Sequence, residues 1–217
     1  MTDAPYVPSR LVLVLPEPLV KTLDTALLES ALGGGDIASI VVPRFGLAEA
    51  DYVSVLEDVM DVTAGRETAV IAVDDTRLAG RAGVDGLMIT TGSDDLTDAL
   101  TKQSDTLFVG VGNVKGRDEA LKFGEARPDF LFIGRIGNDI KPEPHPKNLE
   151  LATWWAHLVE IPCIVMAGNE VEHIDDAAKT GAEFVALSAA VFADGRDPAA
   201  CVASANEILQ NYPYAQA

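Results

Sequence analysis

Residues 161–193 read IPCIVMAGNEVEHIDDAAKTGAEFVALSAAVFA, two successive units of strand, loop and helix with small residues where each strand ends. In the first unit the apolar run 163–167 breaks at Gly168 and Asn169, and a helix opened by acidic residues follows. In the second, residues 184–187 give way to Ser188, Ala189 and Ala190. No bulk covers the backbone amides at either strand end. A helix starting there offers unpaired N–H groups and the positive end of its dipole to an anion. Gly168, Asn169, Ser188 and Ala189 are therefore candidates for a phosphate seat. The same small residues also suit close packing of helix against strand, and the residues alone leave both readings open.

The rhythm extends back to the start of the chain. Residues 11–15, LVLVL, form a continuous apolar run ended by Pro16, the pattern of a strand buried on both faces. Leucines 23, 27, 28 and 32 recur at helical spacing over 20–32, and Gly33-Gly34-Gly35 stops that helix. Strands are expected at 37–42, 68–73, 84–89, 106–111 and 129–134. Helices are expected at 48–64, around Leu78 and Ala79, at 96–103, 118–125 and 149–159, with Trp154 and Trp155 half buried. The stretch 137–146, GNDIKPEPHP, is the one long loop, because its prolines forbid regular helix. Asp197 and Pro198 open a last helix by cap and first-turn proline. Apolar strands alternating with helices predict parallel βαβ units, and eight repeats predict closure into a single-domain (β/α)8 TIM barrel. No glycine-rich dinucleotide fingerprint follows the first strand, where Pro16-Glu17-Pro18 stands instead.

Composition narrows the partners. Acidic residues outnumber basic ones 34 to 16, a net charge of −18, which argues against a nucleic acid partner. A small phosphorylated substrate remains compatible, since local donors or a bound cation outweigh a screened global charge. With 48% hydrophobic residues and no apolar run long enough to span a bilayer, the chain reads as globular, with no membrane partner. No signal peptide is evident at the N-terminus, and neither Cys163 nor Cys201 sits in a CxxC spacing, so a reducing cytoplasm fits. Self-association into a homo-oligomer is compatible with all of this.

In such a barrel, function lies at the C-terminal ends of the strands. The residues there are Arg44, Asp74, Asp75, Thr90, Asp94, Asn113, Arg135, Lys141, Gly168, Asn169 and Ser188. Asp74, Asp75 and Asp94 are hard oxygen ligands suited to Mg²⁺, which takes one or two carboxylates plus substrate phosphates. Asp74 or Asp75 equally suits the cap of the next helix. Arg44, Arg135 and Lys141 are the cationic donors. His145, in the 137–146 loop, is a candidate for acid/base work.

Three stretches carry a family resemblance: DFLFIGRIGNDIK at 129–141, IPCIVMAGN at 161–169 and GAEFVALSAAVF at 181–192. They resemble the thiamine phosphate synthase and TenI group of small (β/α)8 barrels, whose matching stretches read approximately ADYIGVGPVF, PVVAIGGI and GADGVAVVSAI. The segment Val73-Asp74-Asp75-Thr76-Arg77 is similar to that group's Asn-Asp-Arg segment. The resemblance implies coupling of an aminopyrimidine diphosphate to a thiazole phosphate, with release of pyrophosphate assisted by Mg²⁺. Position by position, it implies a thiazole phosphate pocket at Gly168, Asn169, Ser188 and Ala189, and metal carboxylates at Asp75 and Asp94. Arg44, Asp74 and Lys141 become the catalytic set around the diphosphate, and Asn113, Arg135 and Asp139 further substrate contacts.

The sequence also departs from the group. Val42 and Gly46 stand where a Gln and a Lys are expected, and Met88 to Asp94 replaces a His-x-Gly-Gln-x-Asp stretch. Asp139-Ile140-Lys141-Pro142 replaces Thr-x-Thr-Lys. Asp139 would repel a diphosphate unless a metal lay between them. The alternatives to the synthase are a diverged TenI-like or phosphosugar-isomerase-type barrel and a non-catalytic member that binds a phosphate ligand.

Overall fold

The structure is a computed structural model that describes residues 7–214. Eight parallel strands, β1 (Arg10–Val14), β2 (Ser39–Val42), β3 (Ala69–Val73), β4 (Gly86–Ile89), β5 (Phe108–Val111), β6 (Phe130–Ile133), β7 (Cys163–Met166) and β8 (Phe184–Leu187), pair in sequence order. β1 closes the ring on β8, with Leu11 opposite Val185 and Leu13 opposite Leu187. The expected (β/α)8 barrel is thus the observed fold.

Alternation within each strand divides the core in two. Val12, Val14, Val41, Ile71, Phe130, Phe132 and Ile164 point into the barrel and fill it. Leu11, Leu13, Ile40, Val70, Leu87, Val109, Leu131 and Val185 point outward against the helices. This is why LVLVL carries no polar alternation: both faces of β1 are buried. The interior needs gaps as well as bulk. At Gly110 a Cβ would lie 2.2 Å from the Phe130 ring, so the glycine makes room for the aromatic side chain beside it.

The helices coat this ring. α1 (Glu17–Lys21) and α2 (Thr25–Gly33) replace the single helix expected over 20–32. Asp24 divides them, because its carboxylate accepts the amides of Ala26 and Leu27 and starts a new helix there. α3 (Glu49–Thr63), α4 (Thr76–Ala82), α5 (Ser93–Gln103) and α6 (Arg117–Glu125) follow their strands as expected. α7 (Pro146–Ala156) starts earlier than expected, since Pro146 sits in its first turn, where a missing N–H costs nothing. Trp155 is fully buried on α7, not half buried, and its indole N–H donates to Ile161 O at 2.8 Å. A 3₁₀ turn leads into α8 (Ile174–Ala178), the short α9 (Ala189–Phe192) follows β8, and α10 (Pro198–Leu209) closes the chain, its start capped by Asp197 as expected.

At the N-terminal end of the barrel one device recurs on alternate strands. Asp85, just before β4, accepts the amide of Val70 on β3 at 2.8 Å. Asp129, before β6, accepts the amide of Val109 on β5 at 2.6 Å. Glu183, before β8, accepts the amide of Cys163 on β7 at 2.8 Å. Each acid satisfies an amide at the start of the preceding strand that would otherwise lack a partner. Burial raises the Glu183 carboxyl above its usual range, although the Cys163 amide pulls it down. Burial likewise pushes the Cys163 thiol well up, with Glu183 beside it adding to the effect, so Cys163 is an inert core residue. No helix among the described residues is long and apolar enough to cross a membrane.

Candidate active site

A cavity of about 690 Å³ opens at the C-terminal end of the barrel, above the ends of β2 to β6. Its floor is the top of the barrel filling: Val73, Met88 and Phe132. Its walls bring together Arg44 and Phe45 after β2, Asp74 and Asp75 after β3, Thr90 after β4, Asn113 and Lys115 after β5, and Arg135 and Ile136 after β6.

Tyr52 of α3 fixes the β2–β3 side. Its hydroxyl donates to Val42 O at 2.7 Å and accepts the Val73 amide at 3.0 Å, joining the two strand ends just before Arg44 and Asp74. Burial pushes the phenol far above its usual range, so it stays protonated as this bridge requires. Beyond the bridge, Arg44 donates from Nε to Leu47 O at 2.8 Å and from Nη1 to Asp75 Oδ2 at 3.1 Å. Asp75 Oδ1 accepts the Leu78 amide at 3.0 Å and so caps α4. Both alternatives for Asp75 hold at once: it is a helix cap and it faces the cavity. Asp74 is held by Thr90, whose amide and hydroxyl donate to its two oxygens.

Backbone strain gathers at the same place. Four non-glycine residues among those described have left-handed backbones, and Phe45 (φ 47°), Asp74 (φ 63°) and Asn113 (φ 59°) all line this cavity. Each such residue costs about 1–3 kcal/mol and persists where the surroundings over-determine it, which is characteristic of ligand sites. For Asp and Asn the conformation is tolerable; for a bulky Phe it is an outlier.

Asp139, Lys141, Gly168, Asn169, Ser188 and Ala189 form a second group on the β7–β8 side, outside the cavity. Ala189 N, the first amide of α9, donates to Asp139 Oδ2 at 2.7 Å. Asn169 N donates to Lys141 O at 2.8 Å. Gly168 lies so close beneath the 137–145 segment that a Cβ there would come within 2.0 Å of Pro142 O. Ser188 is 2% exposed at the N-terminus of α9. The two turns of the expected phosphate seat therefore do adjoin one segment, 139–142, and that segment covers them. The Lys141 side chain is exposed and lines no part of the cavity. Arg196 Nη2 reaches Asn169 O at 3.3 Å and pairs with Glu170 Oε2 at 2.6 Å.

The expected metal carboxylates do not converge. Asp94 is exposed in the first turn of α5 and outside the cavity, while Asp75 is committed to Arg44 and to its cap. Among the described residues no group of three or more His, Cys, Asp or Glu is placed to hold a metal ion. The side chains as they stand do not fit a protein-made Mg²⁺ site. His145 is the N-cap of α7, where its Nδ1 accepts the Lys147 amide at 3.2 Å, and it lines no part of the cavity. Lys115 is the charged wall residue that sequence reasoning missed, along with the apolar Phe45 and Ile136. It lies two residues beyond Asn113, and only the path of the loop after β5 turns it inward.

These features define a single-domain (β/α)8 barrel whose ligand cavity lies at the C-terminal ends of its strands. The chain belongs to the thiamine monophosphate synthase family, which residues 11–191 match. A thiamine-phosphate synthase of Rhodospirillum centenum is 27% identical over 211 residues, covering 97% of this chain and 100% of that protein. One from Erythrobacter litoralis is 27% identical over 186 residues, covering 83% of this chain and 87% of the relative. Among solved structures, thiamine phosphate pyrophosphorylase from Pyrococcus furiosus superposes with a TM-score of 0.78 at 18% identity, covering 93% of this chain and 96% of the other. A 3-hexulose-6-phosphate synthase superposes with a TM-score of 0.72 at 21% identity, covering 92% and 99%. The two superpositions establish the shared barrel.

Proposed function

We propose that this chain couples an aminopyrimidine diphosphate to a thiazole acceptor, thiazole phosphate in the family's reaction, in thiamine biosynthesis in the cytoplasm. The observation that carries this reading is the cavity where Arg44, Lys115 and Arg135 meet above an apolar floor in a molecule of net charge −18. An apolar floor suits a flat heterocycle, and three cations on the rim suit a diphosphate. In the coupling, the C–O bond to the diphosphate breaks, its electron pair leaves on pyrophosphate, and a new bond forms to the thiazole. Arg44, Lys115 and Arg135 stabilise the charge that develops on the leaving group, which is most of what such a step needs. Asp74 and Asn113 orient the pyrimidine from backbones already strained into place. Gly168, Asn169, Ser188 and Ala189, which lie outside the cavity under the 139–142 segment, take no part in this step.

Mg²⁺ enters this reading as a companion of the diphosphate, and no step is assigned to a metal held by the chain alone. The engagement of Asp75 with Arg44 favours a second reading, a family member that binds these ligands without turnover. Incubation with the aminopyrimidine diphosphate, the thiazole phosphate or its alcohol, and Mg²⁺ decides between them. Release of pyrophosphate with formation of the coupled product is expected. Saturable binding of the diphosphate without any product would establish the second reading in its place.

A further inference from the structure

We infer that the N-terminal end of the barrel holds a second binding site, remote from the cavity above β2 to β6, which takes a small uncharged aromatic molecule bearing one hydroxyl group. A pocket of about 280 Å³ lies there among the first inward-facing side chains of the strands. Phe130 stands opposite Gly110 and Phe108 opposite Gly86 across their strand pairs, and each ring takes the space that a Cβ on the glycine would need. Both rings therefore lean toward the preceding strand, and they meet edge to face with centroids 6.3 Å apart. Beyond them β3 and β2 begin with Ala69 and Ser39, which are too small to continue the layer, and the pocket opens over them. Phe184, opposite Arg10 on β1, forms the far wall.

Aromatic edges and faces around a space of this size suit a single ring with a short substituent. The polar groups decide which substituent. Ser39 stands beside Val12 in register and two residues before Val41, both of which point into the barrel, so its side chain points inward too. It is 7% exposed, it lines the pocket, and its hydroxyl makes no hydrogen bond among the described residues. A buried hydroxyl without a partner is costly, and a hydroxyl on the ligand supplies the bond. The charged groups at the rim are already engaged. Arg10 donates from Nε and Nη2 to the two oxygens of Asp36 at 2.8 and 2.7 Å, and Asp129 accepts the Val109 amide at 2.6 Å. Neither is left to neutralise a charged ligand, and a charge buried against three phenylalanines is unfavourable without a counter-ion. The two ends of the barrel thus differ in kind: cations line the upper cavity, and a neutral apolar layer with one free hydroxyl lines the lower pocket.

The test is titration of the full chain with phenol, toluene and benzoate, by calorimetry and by ¹⁵N NMR of the backbone amides. Phenol should bind saturably with a Kd of ~1 mM or tighter. It should shift the amides of Ser39, Ala69 and Phe108 and leave those of Asp74, Thr90 and Asn113 unmoved. Toluene should bind ~3–10-fold more weakly for want of the hydroxyl, and benzoate at least ~10-fold more weakly because of its charge. Ser39→Ala should lower phenol affinity ~3–10-fold and leave toluene affinity unchanged. Ala69→Leu, which puts a larger side chain into the gap, should abolish binding of both. Absence of saturable phenol binding would overturn the inference, as would shifts confined to the upper cavity, benzoate binding as tight as phenol, or unchanged phenol affinity in Ser39→Ala. If Ala69→Leu fails to fold, Ser39→Ala still decides the matter, since it removes one oxygen and leaves the packing intact.

Discussion

Tyr52 shows how one side chain sets a site without entering it. Its hydroxyl is the joint between the ends of β2 and β3, so the positions of Arg44 and Asp74 depend on a phenol that is 0% exposed. Tyr52→Phe keeps the ring packing but leaves Val42 O and the Val73 amide without this partner. Leaving buried polar groups unpaired costs about 1–3 kcal/mol. Chemical denaturation should show that loss, and ligand affinity at the cavity should fall with it. Full retention of stability would show that water or a backbone shift replaces the bridge. In the sequence Tyr52 appears only as one apolar position on a helix face. Its second role depends on a strand that lies 21 residues further along.

Individual elements were far more legible than their partners. β8 has the limits expected from FVAL alone, and α10 begins at the Asp197-Pro198 pair, because caps, prolines and apolar runs act through neighbouring residues. The helix over 20–32 divided because Asp24 is itself a cap, a signal hidden inside an otherwise regular leucine pattern. The acids before β4, β6 and β8 are a feature of the elements that periodicity does not register. Their partners are amides 15 or 20 residues upstream, on the strand before. Asp129→Ala should therefore destabilise the barrel by about 1–3 kcal/mol through the unpaired Val109 amide. Asp129→Asn, which retains an oxygen acceptor, should cost less. Thermal unfolding of the two variants checks the order, and equal losses would point to the negative charge rather than the hydrogen bond.

Over the whole molecule, a net charge of −18 means net repulsion among the carboxylates, and the exposed ion pairs such as Arg10–Asp36 offset little of it. Screening relieves repulsion between exposed charges. Raising NaCl from about 10 mM to about 500 mM at pH 7 should lift the thermal midpoint by ~3 °C, on the order of 1 kcal/mol for a chain of this size. A falling midpoint would show that surface ion pairs outweigh the repulsion. By itself the sequence determined the barrel, because alternating apolar strands and helices closed by local caps have few other ways to bury both faces of LVLVL. It also named Arg44, Asp74, Asp75, Asn113 and Arg135, since each stands within two residues of a strand's end. What only the tertiary structure decided is which strand ends share a cavity and which amides remain free. Those depend on where the 137–145 segment lies, and hydrogen bonds such as Asp139 to Ala189 join residues too far apart in the chain for any local pattern to record them.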